Sequence, residues 1–248
     1  MDQVKKFIGI IPARYASTRF PGKPLVVIQG KMMIQRVYEQ ASKVLDVVCV
    51  ATDDSRIFDA VRSFGGHAVM TSEIHRSGTD RCAEAVQLVE KERGEVFDVV
   101  LNVQGDEPFI APEQLELVKS CFDDPQTQIA TLVKVIRNDN DLFDSNRPKV
   151  VISNNREAIY FSRATVPFIR GKEKQTWLAS HQYYMHIGLY GFLKTVLLEI
   201  TRLPQSSLEL AESLEQLRWI ENGYRIAIRT TECESFGVDT PEDLQRLP

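Results

Sequence analysis

The chain has little of what would tie it to a disulfide framework, a membrane or a nucleic acid. Its 248 residues include only 4 cysteines, scattered without a C-x-x-C pair, which we interpret as free thiols of a reducing cytoplasm. No apolar run approaches the roughly 18–20 residues that span a bilayer, and the N-terminus lacks a cleavable apolar segment. The net charge is only −4, which disfavours nucleic acid as the main partner. These absences predict a cytoplasmic protein that binds a small ligand.

Two common nucleotide-binding fingerprints are missing as well. The sequence contains neither the P-loop pattern G-x-x-x-x-G-K-[ST] nor the dinucleotide pattern G-x-G-x-x-G. It contains instead IIPARYASTRFPGKP at residues 10–24, an apolar strand followed by a loop with Arg14, Arg19 and Lys23. Together with the Ser17 hydroxyl and the loop N–H groups, these cations favour a phosphate site over a solvated turn. Because they lie on a loop, we expect them to be solvated when no ligand is bound.

Apolar strands alternate with amphipathic helices through the first half of the chain. Examples are the strands KFIGIIPA and DVVCVATDD and the helix MMIQRVYEQASKVL between them. This alternation predicts an α/β fold with a doubly wound, mostly parallel sheet. In the second half, the closely spaced strands QIATLVKVI, KVVIS, AIYFSR and HIGLYGF predict an inserted mixed or antiparallel subsheet, and SSLELAESLEQLRWIENG predicts one amphipathic helix. Since no linker or repeat is visible, we predict a single domain over residues 1–248, with halves at about 1–136 and about 137–248.

Two acidic segments stand out. NVQGDEP at residues 102–108 places Asp106 at a strand exit, and FGVDTPEDL at residues 236–244 contains Asp239. Ligands bind at the carboxyl ends of strands in such sheets, and two carboxylates near a phosphate loop suit Mg²⁺. Asp106 could equally be a turn former, and Asp239 could start a helix with Thr240 as its N-cap. The predicted magnesium site therefore depends on the two carboxylates meeting in space.

These segments occur together in one known family. IIPARYASTRFPGKPL, ATDD, HRSGTDR, NVQGDEP, FSRATVP, HIGLYGF, LEQLR and GVDTPEDL stand in the order found in the 3-deoxy-manno-octulosonate (Kdo) cytidylyltransferases, and the resemblance covers essentially the whole chain. It implies a nucleotide-diphospho-sugar transferase-like fold and an enzyme that transfers CMP from CTP to Kdo for lipopolysaccharide biosynthesis, releasing pyrophosphate. It also implies a nucleotide-binding first half, a sugar-binding and dimerising second half, a homodimer, and Mg²⁺ as cofactor.

The resemblance implies roles for residues of the nucleotide-binding half. Four would be catalytic, the two aspartates also binding the metal: Arg14, Lys23, Asp106 and Asp239. CTP would be bound by Pro12, Ala13, Arg14, Ser17, Arg19, Lys23, His75, Ser77, Gly78, Arg81 and Gln104. Cytosine offers one amino donor and two acceptors, and the Ser-Gly turn of HRSGTDR would bring backbone groups close enough to read them. Ser77 or Thr79 could also cap the helix that follows.

The resemblance implies a second set of residues for the sugar acid. Kdo would be bound by Gln104, Arg163, His186, Tyr190, Glu215 and Gln216. The planar fork of Arg163 matches a carboxylate, and an even spacing in a strand points His186 and Tyr190 to one face. Glu215 and Gln216 would bind sugar hydroxyls. A lone histidine or tyrosine in a strand is more often a satisfied core residue, so these roles depend on the resemblance.

Two other functions fit parts of the pattern. A cytidylyltransferase that activates a sialic acid shares the strand followed by a cationic loop, and a non-catalytic CTP-binding module shares the phosphate site alone. The binding module is disfavoured because it needs neither a sugar-acid pocket nor two metal-binding carboxylates. We expect CTP and Kdo as the small-molecule partners, with no nucleic acid and no membrane insertion.

Overall fold

The computed structural model describes residues 5–16, 20–234 and 236–247. Its strands are β1 Phe7–Ala13, β2 Val27–Ile28, β3 Lys31–Met32, β4 Val48–Thr52, β5 Ala68–Met70, β6 Val99–Asn102, β7 Ile129–Val135, β8 Lys149–Ile152, β9 Ala158–Ser162, β10 Tyr184–Leu193 and β11 Ile226–Thr230. Its α-helices are α1 Met33–Ala41, α2 Ser55–Ser63, α3 Gly78–Arg93, α4 Pro112–Cys121, α5 Asp139–Phe143, α6 Trp177–Ser180, α7 Lys194–Ile200, α8 Ser207–Glu212 and α9 Gln216–Glu221. Short 3-10 helices lie at Lys23–Leu25, Lys174–Thr176 and Pro241–Arg246. Ser17 and Arg19, which we predict to bind CTP, lie outside the described residues.

The chain divides into two compact units. Unit 1 comprises residues 1–116, 189–201 and 233–248, and unit 2 comprises residues 117–188 and 202–232. β10 begins in unit 2 and ends in unit 1. Among the described residues, all those that we predict to bind CTP or metal belong to unit 1. The single domain with halves near 1–136 and 137–248 stays a prediction.

The sheet of unit 1 is mostly parallel. Its strands are ordered β10-β6-β1-β4-β5; β1 is parallel to β4 and β6, β4 is parallel to β5, and β10 is antiparallel to β6. All residues of β4 and β6 are buried, as expected for central strands with both faces covered. The carboxyl ends of the parallel strands β1, β4 and β6 lie along one edge, so the chain leaves the sheet there at Arg14, Asp53 and Val103.

Unit 2 carries the mixed pairing. β7 is parallel to β11, whereas β8 is antiparallel to β9 and to β10 at Met185. In unit 1, β2 and β3 form a separate antiparallel ribbon. The predicted doubly wound, mostly parallel sheet with a mixed subsheet is therefore confirmed. In the part of the chain that the structure describes, no helix is long and apolar enough to cross a membrane.

The prediction of one helix over SSLELAESLEQLRWIENG is wrong. α8 ends at Glu212, and Ser213 adopts a left-handed conformation with φ of 51° before α9 begins at Gln216. Arg163 donates from Nε to the Glu212 carbonyl at 2.6 Å and from Nη2 to the Ser213 carbonyl at 3.3 Å. These carbonyls at the end of α8 are thus satisfied by a side chain from a distant segment. The break places Glu215 and Gln216 at the start of a new helix.

Candidate active site

The loop after β1 is bound to the HRSGTDR segment. Arg14 Nη2 donates to the carbonyl oxygen of His75 at 2.5 Å. Ser77 is the N-cap of α3, because its hydroxyl accepts from the Asp80 N–H at 3.1 Å while the Asp80 carboxylate accepts from the Ser77 N–H at 3.2 Å. The capping role considered for Ser77 is therefore present, and that for Thr79 is wrong. A role of Ser77 in reading cytosine stays a prediction.

A carboxylate fixes the position of His75. The Nε2 atom of His75 forms a hydrogen bond with the carboxylate of Glu84, which also accepts a hydrogen bond from the Ser72 N–H at 2.8 Å. Burial tends to raise the pKa of Glu84, but the hydrogen bonds from His75 and Ser72 and the nearby positive charge outweigh it, so this pKa lies below its ordinary value. Glu84 is therefore ionised at neutral pH, and it anchors the residue whose carbonyl binds Arg14.

Two glycines allow the segments HRSGTDR and NVQGDEP to approach the end of β1. At Gly105 an added Cβ would lie 2.9 Å from the carbonyl oxygen of Pro12, and at Gly78 it would lie 3.2 Å from Pro12 Cγ. The obstacle at Gly105 is backbone, which cannot swing aside, so a side chain there would push the NVQGDEP turn away from β1. Both segments thus pack on Pro12, next to the buried Ala13.

Lys23 brings the two predicted metal ligands together. Its Nζ lies 2.8 Å from Oδ2 of Asp106 and 3.6 Å from Oδ1 of Asp239, and it donates to the Val238 carbonyl at 2.7 Å. The Lys23 side chain is only 13% exposed, whereas those of Asp106 and Asp239 are 34% and 53% exposed. The expectation that the loop cations are solvated without ligand is therefore wrong for Lys23, because acceptors from two distant segments surround it.

Backbone contacts hold the two acidic segments in place. The Val238 N–H donates to the Asp106 carbonyl at 2.9 Å. Thr240 is the N-cap of the 3-10 helix Pro241–Arg246, and the Asp243 carboxylate accepts from the N–H groups of Asp239 and Thr240, each at 2.9 Å. The structural role considered for Thr240 and the meeting of Asp239 with Asp106 therefore coexist.

The donor set of Asp106 and Asp239 fits Mg²⁺. Among the described residues, no group of three or more His, Cys, Asp or Glu side chains could hold a metal ion. The contacts of Lys23 with Asp106 and Asp239 place a pair of carboxylates at this position. Mg²⁺ commonly takes one or two carboxylates and completes its octahedron with water and substrate phosphate oxygens. The Lys23 ammonium next to both aspartates reflects the negative charge concentrated there. That these aspartates bind Mg²⁺ stays a prediction.

Arg81 and Gln104 are both bound to neighbouring side chains. Arg81 is fully buried, with Nη1 donating to Thr71 Oγ1 and Nη2 to Asp53 Oδ2, both at 2.5 Å. Arg81 thereby ties the ATDD end of β4 to β5 and α3. Gln104 Nε2 donates to Asn102 Oδ1 at 3.3 Å. Contacts of Arg81 and Gln104 with CTP or Kdo stay predictions.

In unit 2, Arg163 binds backbone carbonyls. Its guanidinium donates to the carbonyls of Glu212, Ser145 and Ser213 at 2.6, 3.1 and 3.3 Å. The Glu212 carboxylate in turn accepts from Ser162 Oγ at 2.6 Å and from the Arg163 N–H at 2.9 Å. Arg163 thus holds the turn between α8 and α9. Its predicted role as receptor for the sugar carboxylate stays a prediction.

The two predicted sugar-binding residues of β10 differ in their surroundings. His186 Nε2 shares a hydrogen bond with Thr131 Oγ1 at 3.1 Å, and its ring lies edge-on to Phe161 with centroids 5.2 Å apart. Burial lowers the pKa of His186 to about 3, so the imidazole is neutral at physiological pH. Tyr190 is buried in unit 1, where it pairs in register with Asn102 of β6. Their contacts with Kdo stay predictions.

The LEQLR segment is organised by a buried arginine. Arg218 Nη2 donates to Glu215 Oε1 at 2.8 Å, and its Nε lies 3.2 Å from Glu209 Oε2. Gln216 is 5% exposed, and its Nε2 atom has no hydrogen-bond partner among the described residues. A buried amide donor without a partner costs roughly 1–3 kcal/mol, so a ligand oxygen at Gln216 would be favoured. The roles of Glu215 and Gln216 with Kdo stay predictions.

Sequence reasoning missed the side chains that orient the candidate residues. Glu84 holds His75, and Arg218 holds Glu215. A signal for Arg218 was present, because Glu215 and Arg218 stand three positions apart, a spacing that brings side chains together in a helix. No comparable signal links Glu84 to His75, which precedes the helix that carries Glu84.

Comparisons with known proteins bear on this architecture. The family model for cytidylyltransferases matches residues 8–226. The 3-deoxy-manno-octulosonate cytidylyltransferase of Parabacteroides distasonis is 64% identical over 97% of this chain and 96% of its own. This chain belongs to the Kdo cytidylyltransferase family.

Solved structures agree with the family assignment. One of CMP:2-keto-3-deoxy-manno-octonic acid synthetase complexed with CTP matches with a TM-score of 0.87 and 42% identity, over 97% of this chain and 96% of that one. 4-diphosphocytidyl-2C-methyl-D-erythritol synthase from Anaerococcus prevotii matches with a TM-score of 0.57 at 12% identity, over 97% of this chain and 96% of that one. The second structure shows the fold alone. The predicted transferase-like fold is confirmed by both structures, and the predicted Kdo cytidylyltransferase family is confirmed by the family model and by the more similar proteins.

For this cytidylyltransferase, replacing Lys23 with methionine should cost both activity and stability. Two carboxylates would lose a shared cation and the Val238 carbonyl would lose its donor, which we expect to lower the free energy of unfolding by about 1–2 kcal/mol. The KM for CTP should rise and kcat should fall. Thermal unfolding and steady-state kinetics measure both.

The matched control is Lys31→Met, which removes the exposed ion pair between Lys31 and Glu39. Such surface pairs contribute little, so this variant should behave like the parent. Parental CTP kinetics in Lys23→Met, or equal stability losses in the two variants, would contradict the role given to Lys23.

Proposed function

We propose that Arg14, Lys23, Asp106 and Asp239 act on the reacting phosphates as this cytidylyltransferase transfers CMP from CTP to the anomeric hydroxyl of Kdo. One observation carries the proposal: Lys23 Nζ lies 2.8 Å from Asp106 and 3.6 Å from Asp239, at the strand edge where Arg14 leaves β1. Cations and paired carboxylates at one strand edge are what a triphosphate with a divalent cation requires. Neither a solvated turn nor a purely structural acidic loop needs this combination.

The reaction joins two anions, so its barrier is largely electrostatic. The anomeric oxygen of Kdo forms a bond to the α-phosphorus and gives its proton to water, while the bond from that phosphorus to the α–β bridging oxygen breaks and pyrophosphate leaves with this oxygen. Arg14 and Lys23 bind and orient the triphosphate and stabilise the charge that develops on the leaving group. Bound at Asp106 and Asp239, Mg²⁺ would supply further compensation of phosphate charge. Pro12, Gly78 and Gly105 keep the backbone close enough for loop N–H groups to take part.

We assign the sugar acid to polar side chains, two of which are oriented or buried by their neighbours. Arg218 orients the Glu215 carboxylate, and the buried amide of Gln216 offers a donor that the described residues leave without an acceptor. The neutral imidazole of His186 suits a hydroxyl better than a carboxylate. Gln104, Tyr190 and Arg163 complete the proposed set, with Arg163 as the only cation among them and hence the group matched to the carboxylate.

We also propose a cytoplasmic homodimer. Cys49 and Cys121 are free and buried, and burial raises the pKa of Cys121 to about 11, as suits unreactive thiols in a reducing compartment. In unit 2, the exposed Phe168 packs on Trp177 with ring centroids 5.2 Å apart. Exposed aromatic residues are enriched at protein interfaces, which supports a second copy of the chain as partner.

Pyrophosphate release tests the proposed function directly. We expect release from CTP when Kdo and Mg²⁺ are both present, and none when either is omitted. A non-catalytic CTP-binding module would bind CTP without releasing pyrophosphate under any of these conditions. Absence of release with purified, folded protein and all three components would overturn the proposal.

A further inference from the structure

Tyr15 and Gly22 are the direct neighbours, in sequence, of the two proposed phosphate-binding cations. Tyr15 directly follows Arg14, and Gly22 directly precedes Lys23. The Gly22 N–H donates to the Tyr15 carbonyl at 2.9 Å, which holds these two residues next to each other. The two cations therefore flank a single junction, and the geometry of that junction sets how far apart they stand.

The Tyr15 ring packs directly on Gly22. A Cβ added at Gly22 would lie 3.2 Å from Cε2, Cζ and Oη of Tyr15. Gly22 also has a φ of +72°, a left-handed conformation that side chains disfavour. The ring thus adds a side-chain contact to the backbone hydrogen bond at the same two residues.

A guanidinium covers the same ring. Arg56 Cζ lies 3.2 Å from the centroid of Tyr15. The carboxylate of Asp54 accepts from Arg56 Nε at 2.9 Å and from Nη2 at 2.6 Å, and it caps α2 by accepting from the Arg56 N–H at 2.9 Å. Asp54 thus binds both the guanidinium fork of Arg56 and the start of α2, which orients the Arg56 cation over the ring.

We propose that Tyr15 and Arg56 are positioning residues, forming a clasp that fixes the spacing of Arg14 and Lys23 for binding of the CTP triphosphate. This inference rests on the proposed function. Neither residue needs to touch CTP. The clasp keeps the junction ordered before CTP arrives, so less conformational freedom is lost on binding.

Removing either half of the clasp should weaken CTP binding and spare the rest of the protein. We expect Arg56→Ala and Tyr15→Leu each to raise the Kd and KM for CTP by about two- to tenfold, with a smaller change in kcat and the KM for Kdo unchanged. Tyr15→Phe keeps the ring and should remain near the parent. Arg56→Lys keeps a cation but loses the fork to Asp54, so it should be intermediate.

Calorimetric titration with CTP in the absence of Kdo, together with steady-state kinetics, measures these changes. Arg62→Ala, which removes an exposed arginine in the last turn of the same helix, is the matched control and should bind CTP like the parent. The double variant Tyr15→Leu/Arg56→Ala should bind CTP no more weakly than the weaker-binding single variant, because each substitution alone already removes the contact between the two side chains.

The CTP titrations and the pyrophosphate assay distinguish a failure of the clasp from a failure of the proposed function. If the parent binds CTP but releases no pyrophosphate with Kdo, the proposed function fails, while the CTP titrations still test the clasp. If Arg56→Ala and Tyr15→Leu bind CTP like the parent, the clasp is overturned whatever the activity. Weakening in Tyr15→Phe equal to that in Tyr15→Leu would also overturn it, because the stacking ring is retained in the former.

Discussion

Replacing Asp106 with asparagine should abolish most turnover while the protein stays folded. Asn keeps the size of the side chain and an oxygen that can still accept from Lys23 Nζ, which lies 2.8 Å from Asp106 in the parent. It removes one of the two hard anionic donors proposed for Mg²⁺. A loss of about 3 kcal/mol in transition-state stabilisation corresponds to roughly a hundredfold lower kcat. Pyrophosphate release at saturating CTP and Kdo measures this effect.

The control is Glu113→Gln, which neutralises an exposed carboxylate in the first turn of α4, within the same unit. It should retain parental turnover. Excess EDTA should stop the parent enzyme, and added Mg²⁺ should restore it. Asp106→Asn should need more Mg²⁺ to reach its own maximum. Full turnover of Asp106→Asn, or of the parent in EDTA, would contradict the assignment of Asp106 and Asp239 to a metal.

The sheet was predictable because its signal is local. Alternating apolar strands and amphipathic helices are visible within windows of ten to fifteen residues, and the carboxyl-end rule then places NVQGDEP next to the phosphate loop. The same rule does not reach Asp239, which follows no strand of the parallel sheet. Its meeting with Asp106 depends on the Val238 N–H to Asp106 carbonyl bond, a long-range contact without a periodic pattern.

The errors have the same origin. Lys23 looked like a solvated loop cation, yet three acceptors converge on its ammonium, two of them contributed by residues 238 and 239. The helix through residues 206–223 looked continuous, yet Arg163 from another segment binds the carbonyls at its centre. In both cases tertiary hydrogen bonds override a local pattern, and a single sequence carries no record of such partners.

We expect the enzyme to prefer Kdo strongly over N-acetylneuraminic acid as the acceptor of CMP. Both sugars place a carboxylate next to an anomeric hydroxyl, so a single cation such as Arg163 could not tell them apart. We expect pyrophosphate release with Kdo to exceed that with N-acetylneuraminic acid by about a thousandfold in kcat/KM. Parallel assays at equal CTP and Mg²⁺ measure the ratio, and comparable values for the two sugars would overturn the preference.

The preference for Kdo should depend on polar side chains whose fixed positions prevent them from forming hydrogen bonds with a differently shaped sugar. Arg218 fixes the Glu215 carboxylate, and the Gln216 amide is buried with no partner for Nε2 among the described residues. Each buried polar group that the wrong sugar leaves unpaired costs roughly 1–3 kcal/mol, and two of them with an acetamido clash reach the expected ratio. Gln216→Leu should therefore lower kcat/KM for Kdo more than for N-acetylneuraminic acid. The control is Gln126→Leu, which changes an exposed glutamine of the same unit and should leave the ratio of kcat/KM for the two sugars unchanged. An equal fall in kcat/KM for both sugars in Gln216→Leu would assign Gln216 to folding rather than to sugar recognition.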